Sequence, residues 1–227
     1  MQIILTFDWE LFFGKNSGTV DQCIIHPVRE ILRIGEQCQI PFTFFIDVGY
    51  VYHLHHLKDR YPELLVDYQK VRANIDEIIK KGHDVQLHIH PHWEKTVYKN
   101  GKWHFDHRFY SFDKFEHRHV LAIFKKYTSF FTEITGRKPF VFRAGGWCIQ
   151  PFAPSVKRAF EGNGIEVDSS VFRNGYLNSG THSIDFRGTP KQPYWRFNND
   201  PVKEVDEHAN FIEVPITAKY YSPLFYL

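Results

Sequence analysis

Three histidines alternate at the end of one predicted strand. Residues 82–93 read Gly-His-Asp-Val-Gln-Leu-His-Ile-His-Pro-His-Trp, and the alternation of apolar and polar residues in this stretch has the period of a strand. Pro91, which has no N–H to donate, ends it. His88, His90 and His92 share one face if the chain stays extended, and His88 and His92 share one if it turns helically. Either geometry brings two imidazoles within reach of one ion such as zinc, so we expect a metal site; the alternative is a histidine-rich loop without metal.

Charged residues end three further predicted strands. Asp8 and Glu10 follow the apolar run 3–7, which we expect to be a strand buried on both faces. Arg143 and Asp168 each end a later strand. Buried carboxylates are costly unless a cation or a metal is beside them, so we expect Arg143 to pair with Asp8 or Glu10. Sites gather at the carboxyl ends of parallel strands, and the convergence of these residues with the histidines strengthens the prediction of a metal site.

The order of predicted elements indicates an α/β protein. Helical patterns separate most of the buried strands, as in a wound parallel fold, and nothing in residues 1–227 marks a linker, so we expect one domain. Residues 94–110 interrupt this rhythm with a hairpin signal, in which Asn100 and Gly101 suit a type I′ turn. The predicted strands lie near residues 3–7, 42–46, 85–90, 140–143, 165–168 and 211–214.

Composition excludes several functional classes. Lys plus Arg number 28 against 26 Asp plus Glu, a formal net charge of +2, so we expect no nucleic-acid partner. No run of about 18 apolar residues predicts a membrane span. The N-terminus lacks the basic, apolar pattern of a signal peptide, and the three cysteines are read as free thiols, so a cytoplasmic location is expected. Aromatic residues make up 17%, and a few in a cleft would suit stacking on a sugar.

The predicted hairpin would lie over the histidine strand. Loops in such positions often carry function, so Tyr98 and Trp103 are candidates for contacting substrate. The alternative, equally supported by the sequence, is that the two rings only pack on each other.

The strand-end motifs resemble those of the polysaccharide deacetylase family, whose catalytic unit is the NodB homology domain of the carbohydrate esterase family 4 type. Thr6-Phe7-Asp8 is similar to the first motif and His88-Ile-His-Pro-His92 to the second. Arg143-Ala-Gly-Gly and Asp168-Ser-Ser170 resemble the third and fourth. Ile212-Glu-Val-Pro215 resembles the late strand of an intracellular branch linked to polysaccharide biosynthesis. The resemblance implies a distorted (β/α)7 barrel, a divalent metal cofactor, most often zinc, and hydrolysis of N-acetyl groups on a carbohydrate.

The resemblance also implies roles for individual residues. Asp8 would be the general base, and Glu10, beyond the intervening Trp9, would bind the metal with His88 and His92. Arg143 would steady Asp8, and Asp168 is assigned to the catalytic group with them. The backbone of Gly146 would help to hold the oxyanion. The expected substrate-binding residues are Trp9, Tyr98, Trp103, Gly146 and Trp147.

The sequence departs from the family pattern in ways that leave alternatives open. The proline and tyrosine of the third motif are absent, and no histidine follows Ile212 to serve as general acid. Either the chain stops short of that residue, as the ending Ser222-Pro-Leu-Phe-Tyr-Leu227 suggests, or another group such as His182 or His208 donates the proton. The alternative functions are an amidohydrolase acting on a small amide metabolite and a non-catalytic carbohydrate-binding member of the same fold.

Overall fold

A seven-stranded sheet carries the functional residues. The computed structural model describes residues 3–14, 16–180 and 182–218; the chain ending at 222–227, which bears on whether a general acid is missing, lies outside them. The strands follow the spatial order β1-β2-β3-β6-β7-β11-β10, and all neighbours are parallel except the pair β10 and β11. Among the described residues no pairing joins β1 to β10. The strands of this sheet are β1 (Thr6–Trp9), β2 (Thr43–Asp47), β3 (Asp84–Ile89), β6 (Val141–Ala144), β7 (Val167–Asp168), β10 (Trp195–Phe197) and β11 (Phe211–Glu213).

The predicted α/β architecture with a mainly parallel sheet is therefore confirmed. Because the first six strands in spatial order run in the same direction, their carboxyl ends lie along one edge of the sheet. Asp47 at the end of β2 stands opposite His88, and His88 stands opposite Arg143. The register thus brings together residues that are far apart in the chain.

Among the described residues, five α-helices connect or flank the strands. They are α1 (His26–Cys38), α2 (Val48–Leu57), α3 (Pro62–Lys80), α4 (His117–Thr135) and α5 (Pro154–Asn163). Pro stands in the first turn of α1, α3 and α5, where its missing N–H costs nothing. Gly136 and Gly164 end α4 and α5 in the left-handed conformation. The strand β10 was not among the predicted elements, and the segment with His53, His55 and His56, for which the sequence predicts either a helix or a loop, lies in the helix α2.

The core is built from the apolar faces of this sheet and its helices. Phe44 and Ile46 on β2 and Leu87 on β3 are completely buried, and Phe124 and Phe131 of α4 are buried with them. Each such side chain contributes roughly 1.5–3 kcal/mol through its transfer from water. The high aromatic content therefore goes mainly into the core.

Two local predictions differ from the structure. The run 3–7 is not wholly a buried strand: β1 begins at Thr6, and Ile3 is 66% exposed. The physical reason is that β1 pairs with β2 alone among the described strands, so its start has no cover on the other side. The sequence also predicts that Asp113 caps a long helix through Thr135, but Asp113 lies in a separate short turn and pairs with Lys114, and the helix α4 begins at His117.

In the part of the chain that the structure describes, two hairpins lie outside the sheet. The predicted one is formed by β4 (Val97–Lys99) and β5 (Lys102–His104), and Asn100 and Gly101 between them both have positive φ, as a type I′ turn requires. A second hairpin comprises β8 (Tyr176–Asn178) and β9 (Ser183–Asp185). No helix in the described part of the chain is long and apolar enough to cross a membrane.

Candidate metal centre

Glu10, His88 and His90 meet at the carboxyl edge of the sheet. Glu10 follows β1, His88 lies near the end of β3, and His90 follows β3 directly. One Glu10 carboxylate oxygen lies 3.0 Å from Nε2 of His88 and 2.6 Å from Nε2 of His90. The potential ligand atoms of the three residues all lie within 4.8 Å of one another. Two imidazole nitrogens and one carboxylate oxygen are a donor set that zinc and related divalent metals use.

The second nitrogen of His88 is held by the sheet. Its Nδ1–H donates to the backbone carbonyl of Arg143 at 2.9 Å, which fixes the ring and turns Nε2 toward Glu10. Metal-binding histidines commonly have such a contact behind them. Burial would lower the pKa of the His88 imidazole, but the hydrogen bond to Glu10 and the charges of Asp8, Glu10 and Asp47 raise it to about 9.

Glu10 shows the complementary effect. Burial would raise the pKa of its carboxyl, but the charge of His90 and the hydrogen bonds from His88 and His90 outweigh burial and lower it well below the usual range. The cluster therefore holds a carboxylate between two imidazoles, and this is an arrangement that a cation can enter once the imidazoles are neutral.

The structure places His90, rather than His92, beside Glu10. His92 is completely buried, and its ring stacks on Tyr110 with the planes 3° apart and the centroids 5.2 Å apart. Burial, together with the nearby imidazoles of His90 and His107, lowers the pKa of His92 well below its usual value. Neither nitrogen of His92 has a hydrogen-bond partner in the described part of the chain. The structure thus brings His90, rather than His92, together with Glu10 and His88, because the chain stays extended through His90 and alternate residues share a face, whereas His92 follows the turn at Pro91. The ligand set of Glu10, His88 and His92 stays a prediction.

Asp8 and Arg143 form the ion pair expected beside this cluster. Nη1 of Arg143 donates to Asp8 at 2.7 Å, and the guanidinium is buried whereas the carboxylate is partly exposed. The remaining guanidinium donors bind Oγ1 of Thr6 at 3.0 Å and both the carbonyl and the hydroxyl of Ser169 at 2.8 and 3.0 Å. Arg143 also lies over the ring of Phe45, 4.0 Å from its centroid. The partly exposed Asp8 carboxylate is therefore held in a fixed orientation by a buried, well-anchored arginine.

Asp168 is buried too deeply to contact a substrate. Its carboxyl is completely buried, Glu213 stands opposite it on the neighbouring strand, and Oγ of Ser170 donates to Asp168 at 2.6 Å. Burial raises the pKa of both carboxyls, and for Glu213 the adjacent Asp168 raises it further, well above its usual value. Ser170 in turn accepts the N–H of Ala144 at 2.8 Å. In the structure Asp168 thus supports the strand that carries Arg143, and its carboxyl has no recorded contact with Asp8 or the histidines.

Asp47 is a site residue that the sequence reasoning missed. Its carboxyl is completely buried, accepts the Nε1–H of Trp93 at 2.7 Å, and lies close enough to His88 and His90 to feel their charge. Burial raises its pKa to about 6, although the two imidazoles oppose that effect. The signal was available, because Asp47 is an acid at the end of a buried strand, as Asp8 and Asp168 are.

Close packing around the histidines depends on two glycines. A Cβ on Gly145 would lie 2.3 Å from Nδ1 of His90, and one on Gly146 would lie 2.4 Å from the ring of Tyr110. Gly146 also has a φ of +57°, which disfavours any other residue. The groups that approach the backbone closely at Gly145 and Gly146 are thus the rings of His90 and Tyr110.

The predicted substrate-binding aromatics occupy different environments. Trp9 is only 2% exposed, and its Nε1–H donates to Asn74 at 2.9 Å, so it is a core residue rather than an accessible contact. Trp103 packs against Trp93 at 5.2 Å and against Tyr98 at 4.8 Å, which is the packing alternative for the hairpin. Trp147, 38% exposed, lies against Phe172.

Structural comparisons find distant likenesses. The chain is similar to a candidate polysaccharide deacetylase from Mycobacterium smegmatis at 17% identity and a TM-score of 0.45, over 83% of this chain and 45% of that one. It is also similar to the peptidoglycan N-acetylglucosamine deacetylase Bc1960, at 17% identity and a TM-score of 0.44, over 75% of this chain and 57% of that one. A third similar structure is the allantoinase Puue, at 17% identity and a TM-score of 0.43, over 84% of this chain and 43% of that one.

The chain thus spans about half the length of these solved structures. No family model matches it, and no curated protein matches it.

Proposed function

We propose that the protein is a metal-dependent hydrolase that removes N-acetyl groups from an amino sugar or a polysaccharide precursor. The observation that carries the proposal is the convergence of Glu10, His88 and His90 on one point, beside an Asp8 carboxylate that is partly exposed and fixed by Arg143. A ligand cluster next to an oriented, accessible carboxylate is the arrangement that metal-assisted hydrolysis needs. The resemblance of the strand-end motifs to those of polysaccharide deacetylases supports the same reaction.

The residues present fit a divalent cation, and zinc is the proposed one. Glu10, His88 and His90 would hold it, with the Nδ1–H contact of His88 fixing the ring from behind. When bound, such an ion supplies a Lewis acid that polarises the acetyl carbonyl and makes water more acidic.

The chain's own groups would perform the proton transfers and the positioning. Asp8 accepts a proton from the attacking water, and Arg143 keeps the carboxylate oriented through its contact at 2.7 Å. The N–H of Gly146, next to the Gly145 that packs against His90, is the proposed donor to the developing oxyanion. Hydrolysis breaks the bond between the acetyl carbon and the sugar nitrogen. The acetyl group leaves as acetate, and the nitrogen takes up a proton to become the free amine. His182, whose ring stacks on Tyr110 at 4.6 Å, is a proposed source of that proton; His208 lies exposed in a turn, with no recorded contact to the site.

Acetate release tests the proposal. Protein stripped with a chelator and reloaded with zinc should release acetate from N-acetylated hexosamine monomers or oligomers, and the stripped protein should not. Cobalt and nickel loading would show which ion supports the highest turnover. A zinc-loaded protein that binds such sugars and yields no acetate would contradict the hydrolase and support the non-catalytic alternative. Hydrolysis of small ureides or cyclic amides, with N-acetyl sugars untouched, would support the amidohydrolase alternative.

A further inference from the structure

Asp47 is a buried carboxyl without the full set of partners that such a group normally has. It ends β2, its side chain is completely buried, and the Nε1–H of Trp93 donates to its Oδ2 at 2.7 Å. Its other oxygen, Oδ1, accepts no hydrogen bond from the residues that the structure describes. A buried carboxylate oxygen is costly unless a donor or a cation lies beside it. Packing alone therefore does not explain an acid at this position.

The helix that follows Asp47 does not bind its side chain. Asp47 immediately precedes α2, at a position where an aspartate side chain commonly accepts an N–H of the first turn. The Asp47 side chain makes no such bond, and Trp93 holds it instead. The N-terminus of α2 still favours a negative charge here, because the helix dipole is positive at that end. The helix thus stabilises the charged form and leaves Oδ1 for another group.

The sheet places Asp47 beside the histidines of the metal centre. In the parallel pair of β2 and β3, Asp47 stands opposite His88, and side chains at paired positions lie on the same face of a sheet. The two residues also influence each other electrostatically, because the charge of Asp47 helps to raise the pKa of His88. Among the described residues the ligand cluster contains Glu10, His88 and His90 but not Asp47. Asp47 is therefore a neighbour of the cluster and not a member of it.

A bound divalent ion would leave the charges of this region unbalanced without Asp47. The ion brings two positive charges, and Glu10 supplies one negative charge while both imidazoles are neutral. The charge of Asp8 is already matched by Arg143, which donates to it at 2.7 Å. An ionised Asp47 completes the balance, in a region where its own carboxyl and the two imidazoles are at most 1% exposed. Uncompensated charge costs far more in such a buried region than in water.

We propose that Asp47 is a positioning residue of the metal centre, whose carboxylate balances the charge of the bound ion from outside the ligand set. The inference rests on the proposed function, since it requires the ion at Glu10, His88 and His90. It assigns a role to a residue that belongs to none of the strand-end motifs.

Zinc titration of chelator-stripped protein tests this role. Asp47→Asn keeps the size of the side chain and an oxygen for the Trp93 N–H, but it removes the charge. We expect the variant to bind zinc about 10–100-fold more weakly than the parent, as is typical when a group around the metal ligands is lost. The urea midpoint of the zinc-free variant should equal or exceed that of the parent, because a buried charge is removed. A purely structural Asp47 would instead lower both the affinity and the midpoint.

Two control variants separate charge from packing. Glu213→Gln also converts a completely buried carboxyl into an amide, but Glu213 contacts the strand of Asp168 and not the histidines. Trp93→Phe removes the hydrogen bond to Asp47 and leaves the charge in place. Both variants should keep a zinc affinity within a few-fold of the parent's. A loss in Trp93→Phe as large as that in Asp47→Asn would mean that the packing of the indole is what matters, and it would overturn the inference.

The visible absorption spectrum of the cobalt-loaded protein shows whether Asp47 binds the ion directly. The bands of cobalt depend on the atoms that coordinate it, so parent and Asp47→Asn should give the same spectrum if Asp47 lies outside the ligand set. A spectrum that changes in Asp47→Asn would make Asp47 a ligand and overturn the role proposed for it.

The outcomes also distinguish this inference from the proposed function. A tight zinc site in the parent that Asp47→Asn leaves unchanged would overturn the role of Asp47 alone. The absence of any zinc site in the parent would overturn both. Zinc binding that depends on Asp47, combined with no acetate release from N-acetylated sugars by the zinc-loaded parent, would uphold the role of Asp47 and overturn the deacetylase.

Discussion

Two acidic clusters lie at the same edge of the sheet and differ in their partners. Glu10 is surrounded by two imidazoles, whereas Glu213 faces another carboxyl, that of Asp168. The imidazoles lower the pKa of Glu10 and keep it charged, and the neighbouring Asp168, with complete burial, raises that of Glu213. Similar residues at similar places in the fold thus form a candidate cation site in one case and a proton-sharing pair in the other.

Arg143 lies between the two clusters. It holds Asp8 on the side of the histidines, and Ser169 and Ser170 connect its strand to Asp168 on the other side. Under the proposed function, the Glu10 cluster would bind the metal ion, and the buried pair would hold the strand that carries Arg143 in place.

The largest effect is expected from His90→Ala. Loss of a ligand should weaken zinc affinity by more than about 100-fold, since even outer contacts cost 10–100-fold. Zinc titration of chelator-stripped protein provides the measurement. It decides between the observed cluster and the ligand set expected from sequence.

The matched variant is His92→Phe, which keeps the ring stack on Tyr110 but removes both nitrogens. We expect its zinc affinity to stay within a few-fold of the parent's. A tight site that survives His90→Ala and disappears in His92→Phe would reverse the assignment of the third ligand.

Asp8→Asn should lower kcat by about 100-fold, within the usual range for general acid–base groups. Zinc affinity should be nearly unchanged, because Asp8 is not part of the ligand cluster. Acetate release and zinc titration on the same preparation separate the two effects. Turnover close to that of the parent would exclude Asp8 as the base.

Glu213→Gln tests the proton-sharing pair. A carboxyl whose pKa is raised above its ordinary value of 4.5 stays protonated in the fold, so it lowers the free energy of unfolding progressively as pH rises above that value, by about 1.4 kcal/mol per pH unit until the folded pKa is reached. Glutamine stays neutral and can still donate to Asp168. The variant should therefore gain stability relative to the parent between pH 5 and pH 7, as measured by urea unfolding.

The exposed Glu207 provides the control, since Glu207→Gln should leave the pH profile of stability as it is in the parent. Parallel profiles for Glu213→Gln and the parent would mean that Glu213 is ionised in the fold and that the two clusters are alike.

The smallest effect is expected from Arg143→Lys. Lysine keeps the charge but cannot contact Asp8, Thr6 and Ser169 together. We expect about a tenfold lower kcat with little change in KM, because Asp8 loses its orientation. Arg137→Lys, at an exposed position, is the control. An unchanged kcat would show that a positive charge at position 143 is sufficient to orient Asp8, without the several hydrogen bonds of the guanidinium.

Much of the fold was predictable because strand periodicity and strand-end polarity are local signals. The strands near 42–46, 85–90 and 140–143 were located within one or two residues, and the cost of burying an unpaired cation predicted that Arg143 pairs with Asp8 or Glu10, of which the structure shows Asp8. The Asn100-Gly101 turn was likewise specified by its residue types.

What could not be predicted depends on contacts between distant segments. The choice of His90 over His92 depends on where the chain leaves the extended conformation, and His90 and His92 both carry the right atoms. The burial of Trp9 depends on Asn74 in α3, and the partnership of Asp168 depends on a strand 45 residues later in the chain, at Glu213. A sequence pattern indicates that such residues lie on a strand, but it does not indicate which distant segment packs against them.

The separation of the site residues along the chain sets an order of assembly in time. Glu10 lies 78 and 80 residues before His88 and His90, whereas Asp8 lies 135 residues before Arg143. At a synthesis rate of roughly 5–20 residues per second, Arg143 is made about 3–10 s after His90. All the groups that would hold the ion therefore exist in the nascent chain several seconds before the one that orients the base.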